Sequence, residues 1–267
     1  MTILYKQALD LLDARSLVTS LDHDLTRLIR RELSASLGGS DDIADRVLKN
    51  ILLRWNCALS AADDEVTARQ KNLIVVTLPL LLHKYGIQDP SLNSKAYQAI
   101  EALNREVILS DSFYRKSSAI KELLSSPVAL RSRKPARPAD LTFWRTGDLV
   151  AYQIAGKFYA LYIHGIVGAN EAPIVEFMDM ETSYRPVRDD VLGKKARGIP
   201  FKDGVLHVQH YLVYGMRDMP DPANQFHLLG NMPQYKLDQT HLAPPIGMGV
   251  VTDVFRLADE VREKLFP

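Results

Sequence analysis

The stretch that decides the fold runs Leu149-Val150-Ala151-Tyr152-Gln153-Ile154-Ala155-Gly156-Lys157-Phe158-Tyr159-Ala160-Leu161-Tyr162-Ile163. Two runs rich in β-branched and aromatic residues flank Ala155-Gly156-Lys157. Glycine in a short connection between such runs marks a hairpin, because it accepts the positive φ of a tight antiparallel turn. The same grammar continues downstream. Pro173 precedes Ile174-Val175-Glu176-Phe177-Met178, read as a third strand, and residues 206–214 read as a fourth. Pro220-Asp221-Pro222 forces a turn before a fifth strand at 225–229. Short strands joined by glycine turns predict a small antiparallel barrel or strongly curved sheet. Thr252 or Asp253 then caps a last helix with Val254, Leu257, Ala258, Val261 and Leu265 as its apolar stripe.

Upstream the composition reverses. Of 14 glycines only Gly38, Gly39 and Gly86 precede residue 143, whereas 13 of 21 aromatic residues lie between Phe143 and Tyr235. Helix interiors exclude glycine, so the first half reads as helical. Leu21, Leu25, Leu28, Ile29 and Leu33 form one stripe, ended by Gly38-Gly39. Ile43, Val47, Ile51 and Trp55 form a second, preceded by the capping candidates Ser40-Asp41-Asp42. Asp89-Pro90 opens a helix with Leu92, Ala96, Ile100, Leu103 and Val107, and Ser110 or Asp111 caps another. Pro79 inside the apolar run 73–82 is expected to kink or split its helix. Five or six helices are expected. The fold class is α+β: a helical domain over 1–126, a proline- and arginine-rich linker over 127–142, and a β-rich domain with a C-terminal helix over 143–267.

The chain has 267 residues, with 46% hydrophobic and 24% charged, which excludes wholesale disorder. Its 33 basic and 32 acidic residues exert no global pull toward nucleic acid or an anionic membrane. The halves agree: 20 basic and 17 acidic residues up to 142, then 13 and 15. Arg131, Arg133, Lys134 and Arg137 are the best nucleic-acid candidates, and four charges on a linker are more simply solvated. Lys6, Asp10 and Asp13 interrupt any secretory signal core. The longest apolar run falls short of the ~20 residues that span a bilayer, so a cytoplasmic protein without a membrane partner is expected.

Catalytic and cofactor motifs are absent from the sequence. No Gly-x-Ser-x-Gly, phosphate loop or dinucleotide fingerprint occurs, and Gly247-Met248-Gly249 is too short to imply one. The lone Cys57 sits on an amphipathic helix and reads as a small core residue. His207 and His210, three apart on a strand, are expected on opposite faces, and no histidine spacing matches a zinc pattern. The expectation is therefore no cofactor, no metal and no enzyme. Glu176, Asp179, Glu181, Asp189 and Asp190 cluster among Arg185, Arg188, Lys194, Lys195 and Arg197. Such carboxylates can do acid–base work, meet a basic partner, or line a solvated loop. Asp218 and Asp221 on the proline turn make a second acidic patch.

Trp144, Gly147-Asp148, Gly156 and Tyr159 carry a resemblance. The stretch resembles the opening of the immunity protein 26 family, all-β proteins of bacterial polymorphic toxin systems, over residues 143–230. The resemblance implies a cytoplasmic, stoichiometric inhibitor of a cognate protein toxin, with these residues specifying the fold and the acidic loops meeting the partner. Two alternatives stand beside it. A reader module would bind peptide or nucleic acid on a platform of Tyr152, Tyr159 and Tyr162. A hydrolase would use His207 or His210 with an acid such as Asp218.

Overall fold

A computed structural model describes residues 3–35, 40–106, 109–130, 133–202 and 204–266, without the side chains of residues 40 and 41. Gly38-Gly39, the side chains of Ser40 and Asp41, Val107 and Arg131 lie outside the described residues. The chain divides into two compact units. One comprises Met1–Leu52 and Ala58–Pro138, the other Leu53–Cys57 and Ala139–Pro267.

The first unit is built on α1 (Tyr5–Asp10), α2 (Arg15–Ala35), α3 (Ser40–Leu59, apart from its Leu53–Cys57 segment), α4 (Ala68–Lys84), α5 (Pro90–Arg105) and α6 (Asp111–Ser125). Helix α4 is buried on nearly every side from Leu73 to His83, and it packs against α1, α2, α5 and α6. Of the expected kink or split at Pro79, the split does not occur: the helix runs through Pro79 as one element. Pro79 is itself buried, and packing on four neighbours outweighs the one backbone bond that proline removes. Its start is fixed by Thr67 and Gln70, which satisfy each other's exposed amides. The Asp89 side chain accepts the Leu92 amide at 2.8 Å, with Pro90 at the first helical position.

The second unit holds β1 (Asp148–Ile154), β2 (Lys157–Val167), β3 (Ala172–Thr182), α7 (Arg188–Val191), β4 (Ile199–Pro200), β5 (Leu206–His207), β6 (Tyr211–Tyr214), β7 (Phe226–Asn231), β8 (Val250–Asp253) and α8 (Val254–Glu260). The β1–β2 turn places Ala155 at φ 49° and Gly156 at φ 81°, both positive as a tight hairpin requires. Six strands pair in the order β7-β1-β2-β3-β6-β8. With β7 and β8 at its ends, the sheet does not close into a barrel among the described residues. It is also mixed rather than antiparallel, because β6 and β8 run parallel.

The fourth strand expected over 206–214 breaks in two. The Leu206 carbonyl and the Val208 amide both bond Ala243, at 2.9 and 3.0 Å, which draws this end away from the main sheet. Residues 206–207 then pair with β4, while β6 pairs with β3. One sheet face carries Leu149, Ala160, Tyr162, Met178 and Met180, covered by Val191, Ala196 and Leu237. Helix α8 packs against β6 and β8, capped by the Asp253 carboxylate on the amides of Phe255 and Arg256. Among the described residues, no helix is long and apolar enough to cross a membrane.

Candidate functional site

Three neighbouring strands bring His164, Glu176 and His210 together. Tyr162 pairs with Glu176 and Val175 with Tyr211, so Glu176 lies between β2 and the residue just before β6. The β2–β3 ladder shifts register between Ile163 and Gly165, and His164 is the extra residue of that bulge. A bulge re-aims its side chain, here toward Glu176. His164 Nε2 lies 2.7 Å from Glu176 Oε2 and His210 Nε2 lies 3.7 Å from the same oxygen. The Gln239 amide donates to Oε1 at 3.0 Å and to Oε2 at 2.8 Å. The Glu176 side chain is 0% exposed, while the His164 and His210 side chains are 28% and 27% exposed. Burial alone would push the Glu176 carboxyl upward. Hydrogen bonding from His164 and Gln239, with the His210 ring beside it, outweighs that and holds it at about 2. Tyr162 stands edge-on to the His164 ring at 4.9 Å and walls one side.

Glu176 is therefore not part of a solvent-facing acidic patch. The sequence signal was its neighbourhood: a lone carboxylate among Ile174, Val175, Phe177 and Met178 sits on a strand with little polar surface. Asp221 is corrected in the same way. Its carboxylate is buried and takes a two-pronged bond from Arg54, at 2.7 Å from Nη2 and 3.1 Å from Nη1. It also accepts the amides of Ala223, Gln225 and Phe226, each at 3.2 Å. Arg54 belongs to the same unit through the segment Leu53–Cys57, and it also donates to Gln225 Oε1 at 2.9 Å. The other acids are nearer water. Asp179 bonds Arg197 and Glu181 bonds Lys157, each at 2.7 Å. The Lys157 bond holds Glu181 below the usual carboxylate range. Asp189 pairs with Arg188 at 3.3 Å, Asp190 accepts the Val187 amide at 3.0 Å, and Asp218 is half-buried.

Of the acids expected to meet a partner, only Asp221 lines the groove that the Pro220 turn helps to form. This open groove of about 670 Å³ lies between the 185–188 segment, the Pro220 turn and strand β7. Arg185, Val187, Arg188, Pro220, His227 and Leu228 line it. Strand β7 is an edge strand, paired only with β1 among the described residues. Val187 is 62% and Leu228 44% exposed beside these two arginines.

The remaining candidates are interior or peripheral. Tyr152, Tyr159 and Tyr162 are all buried, so they offer no platform for bases. His207 turns its Nδ1 to the Pro244 carbonyl at 2.8 Å, and His210 joins Glu176 instead. Cys57 is buried against the Gln153 carbonyl, and burial pushes its thiol up to about 12. Arg133, Lys134 and Arg137 are exposed on the linker segment. Trp144 is buried edge-on to Phe226, and Gly147 takes φ 90° with Pro233 directly behind it. Compared with known proteins, the chain matches no family model, no curated protein and no solved structure.

Proposed function

We propose that this chain is a cytoplasmic immunity protein that neutralises a cognate bacterial toxin by stoichiometric binding, through the groove beside β7. One observation carries the reading. That groove has exposed Val187 and Leu228 at its centre and a cationic rim of Arg185 and Arg188, and of the acids expected to meet the partner only Asp221 lines it, turned to Arg54. An apolar centre with charged margins suits a protein partner: the apolar groups supply affinity and the charges supply registry and encounter rate. An edge strand also offers backbone groups to an extended segment of the partner. The residues that carry the family resemblance occupy fold-determining positions, namely buried Trp144 and Tyr159 and the positive-φ glycines Gly147 and Gly156. Recognition is thereby left to the loops and the edge.

Co-expression with the product of the adjacent gene tests this. The wild-type chain is expected to co-purify with that protein and to protect cells from it. Leu228→Asp and Val187→Asp change exposed side chains, so they should leave folding intact and abolish both effects. Absence of a toxic neighbour, or full protection by both variants, refutes the reading. The neighbour's chemistry, whether nuclease, lipase, transferase or pore-former, follows from assaying the captured protein.

A further inference from the structure

We infer that His164, Glu176 and His210 form a binding site for one divalent transition-metal ion of the zinc class. One ligand atom from each of the three residues lies within 4.8 Å of the other two. Tetrahedral zinc, with bonds of about 2.0–2.1 Å, spaces its ligand atoms about 3.3 Å apart. The two histidine nitrogens lie 2.7 and 3.7 Å from the shared Glu176 oxygen, which brackets that spacing. On these two edges an ion requires side-chain adjustments of roughly half an ångström, within ordinary rotamer freedom, and the third edge, between the two histidines, is held within 4.8 Å.

The polar groups support the same conclusion. His210 Nε2 is buried at the cluster and has no hydrogen-bond partner among the described residues, since 3.7 Å to Glu176 is too long for one. A buried ring nitrogen left without a partner is costly, and a metal bond satisfies it. Gln239 donates to both carboxylate oxygens, so one oxygen can bind an ion while the other keeps its amide partner. This is the usual arrangement of an outer group orienting a ligating carboxylate.

Donor type selects the ion. Two imidazoles and one carboxylate suit zinc and its first-row neighbours, whereas magnesium and calcium demand oxygen ligands. Three protein ligands, two of them partly exposed, leave a fourth position open to water or a small ligand. The site needs no contribution from the groove at β7, so it stands whether or not the immunity reading holds.

The untagged full-length chain, stripped with a chelator, is titrated with ZnCl2 by calorimetry and with CoCl2 by visible absorption. The expected result is one ion per chain, with the d–d spectrum of low-coordinate cobalt. His164→Ala and His210→Ala should each abolish stoichiometric binding, and Gln239→Ala should weaken it about 10–100-fold. Unchanged emission from Trp55 and Trp144 verifies that the variants fold. A readout without substitution guards against misfolding: zinc should protect His164 and His210 of the wild-type chain from diethylpyrocarbonate, mapped by mass spectrometry. Failure to bind either metal overturns the inference. So does binding that survives both histidine substitutions, or protection at other histidines only.

Discussion

Replacing Asp221 by alanine tests the buried ion pair at the foot of the groove. The wild-type carboxylate holds both terminal nitrogens of Arg54 and the amides of Ala223, Gln225 and Phe226. Removing one partner of a buried pair costs about 3–5 kcal/mol, because the remaining charge loses its compensation. Three amides also lose their acceptor, and partial access of water limits their added penalty, giving about 4–6 kcal/mol in all. Arg54→Met acts on the same pair from the other side. Asp221 then retains its three amide donors, and the loss is smaller, about 2–3 kcal/mol. Trp55 and Trp144, the chain's two tryptophans, both belong to the unit that contains the pair, so urea unfolding followed by tryptophan emission reports on that unit. With a slope of about 2 kcal/mol per molar, Asp221→Ala should lower the midpoint by about 2–3 M and Arg54→Met by about 1–1.5 M. A midpoint shift under about 0.5 M for Asp221→Ala, or a larger loss for Arg54→Met than for Asp221→Ala, would refute a buried, amide-supported ion pair.

Other perturbations are expected to sort by local geometry. A Cβ on Gly147 would sit 2.6 Å from Pro233 Cα at φ 90°, whereas Gly156 at φ 81° meets nothing within 4 Å. Gly147→Ala should therefore cost about 3 kcal/mol or more and Gly156→Ala about 1 kcal/mol, read as urea midpoints; equal losses would contradict the steric account. Cys57, with its thiol held at about 12, should resist an aromatic disulfide reagent at pH 8 until the chain unfolds, since only about one thiol in 10,000 is ionised there; rapid labelling of folded protein would overturn this. Lys157→Met should change stability by no more than about 1 kcal/mol, because its pair with Glu181 is exposed, and a larger loss by the same titration would show that the pair does more than its setting allows.

What could be read from sequence followed from local rules. The Ala155-Gly156 hairpin, the Asp89-Pro90 helix start and the stripes of α2 and α3 each rest on spacing within a dozen residues. The His164–Glu176–His210 cluster rests on something else. Its members come from β2, β3 and the approach to β6, and they meet only because of strand order and a one-residue bulge. Neither is encoded in a short motif. The expectation that His207 and His210 share one strand failed because Ala243, more than thirty residues downstream, competes for the backbone of 206–208. Charge counting likewise located the acids without telling buried from exposed. Asp179 and Glu181 alternate with Met178 and Met180 along β3 and reach solvent, while Glu176 on the same strand does not.

The strand order also carries a kinetic meaning. Strands β1, β2 and β3 follow one another through short turns, so their ladders close small loops and can form early. The flanking strands arrive by long routes: Tyr152 finds Phe226 across β1 and β7, and Tyr211 finds Val250 across β6 and β8. The metal-ligand candidates straddle this division, with His164 and Glu176 on the local meander and His210 at the entry to a strand that reaches the sheet by a long connection. A bound ion would tie the local meander to that distant strand, acting as a clasp across a long loop.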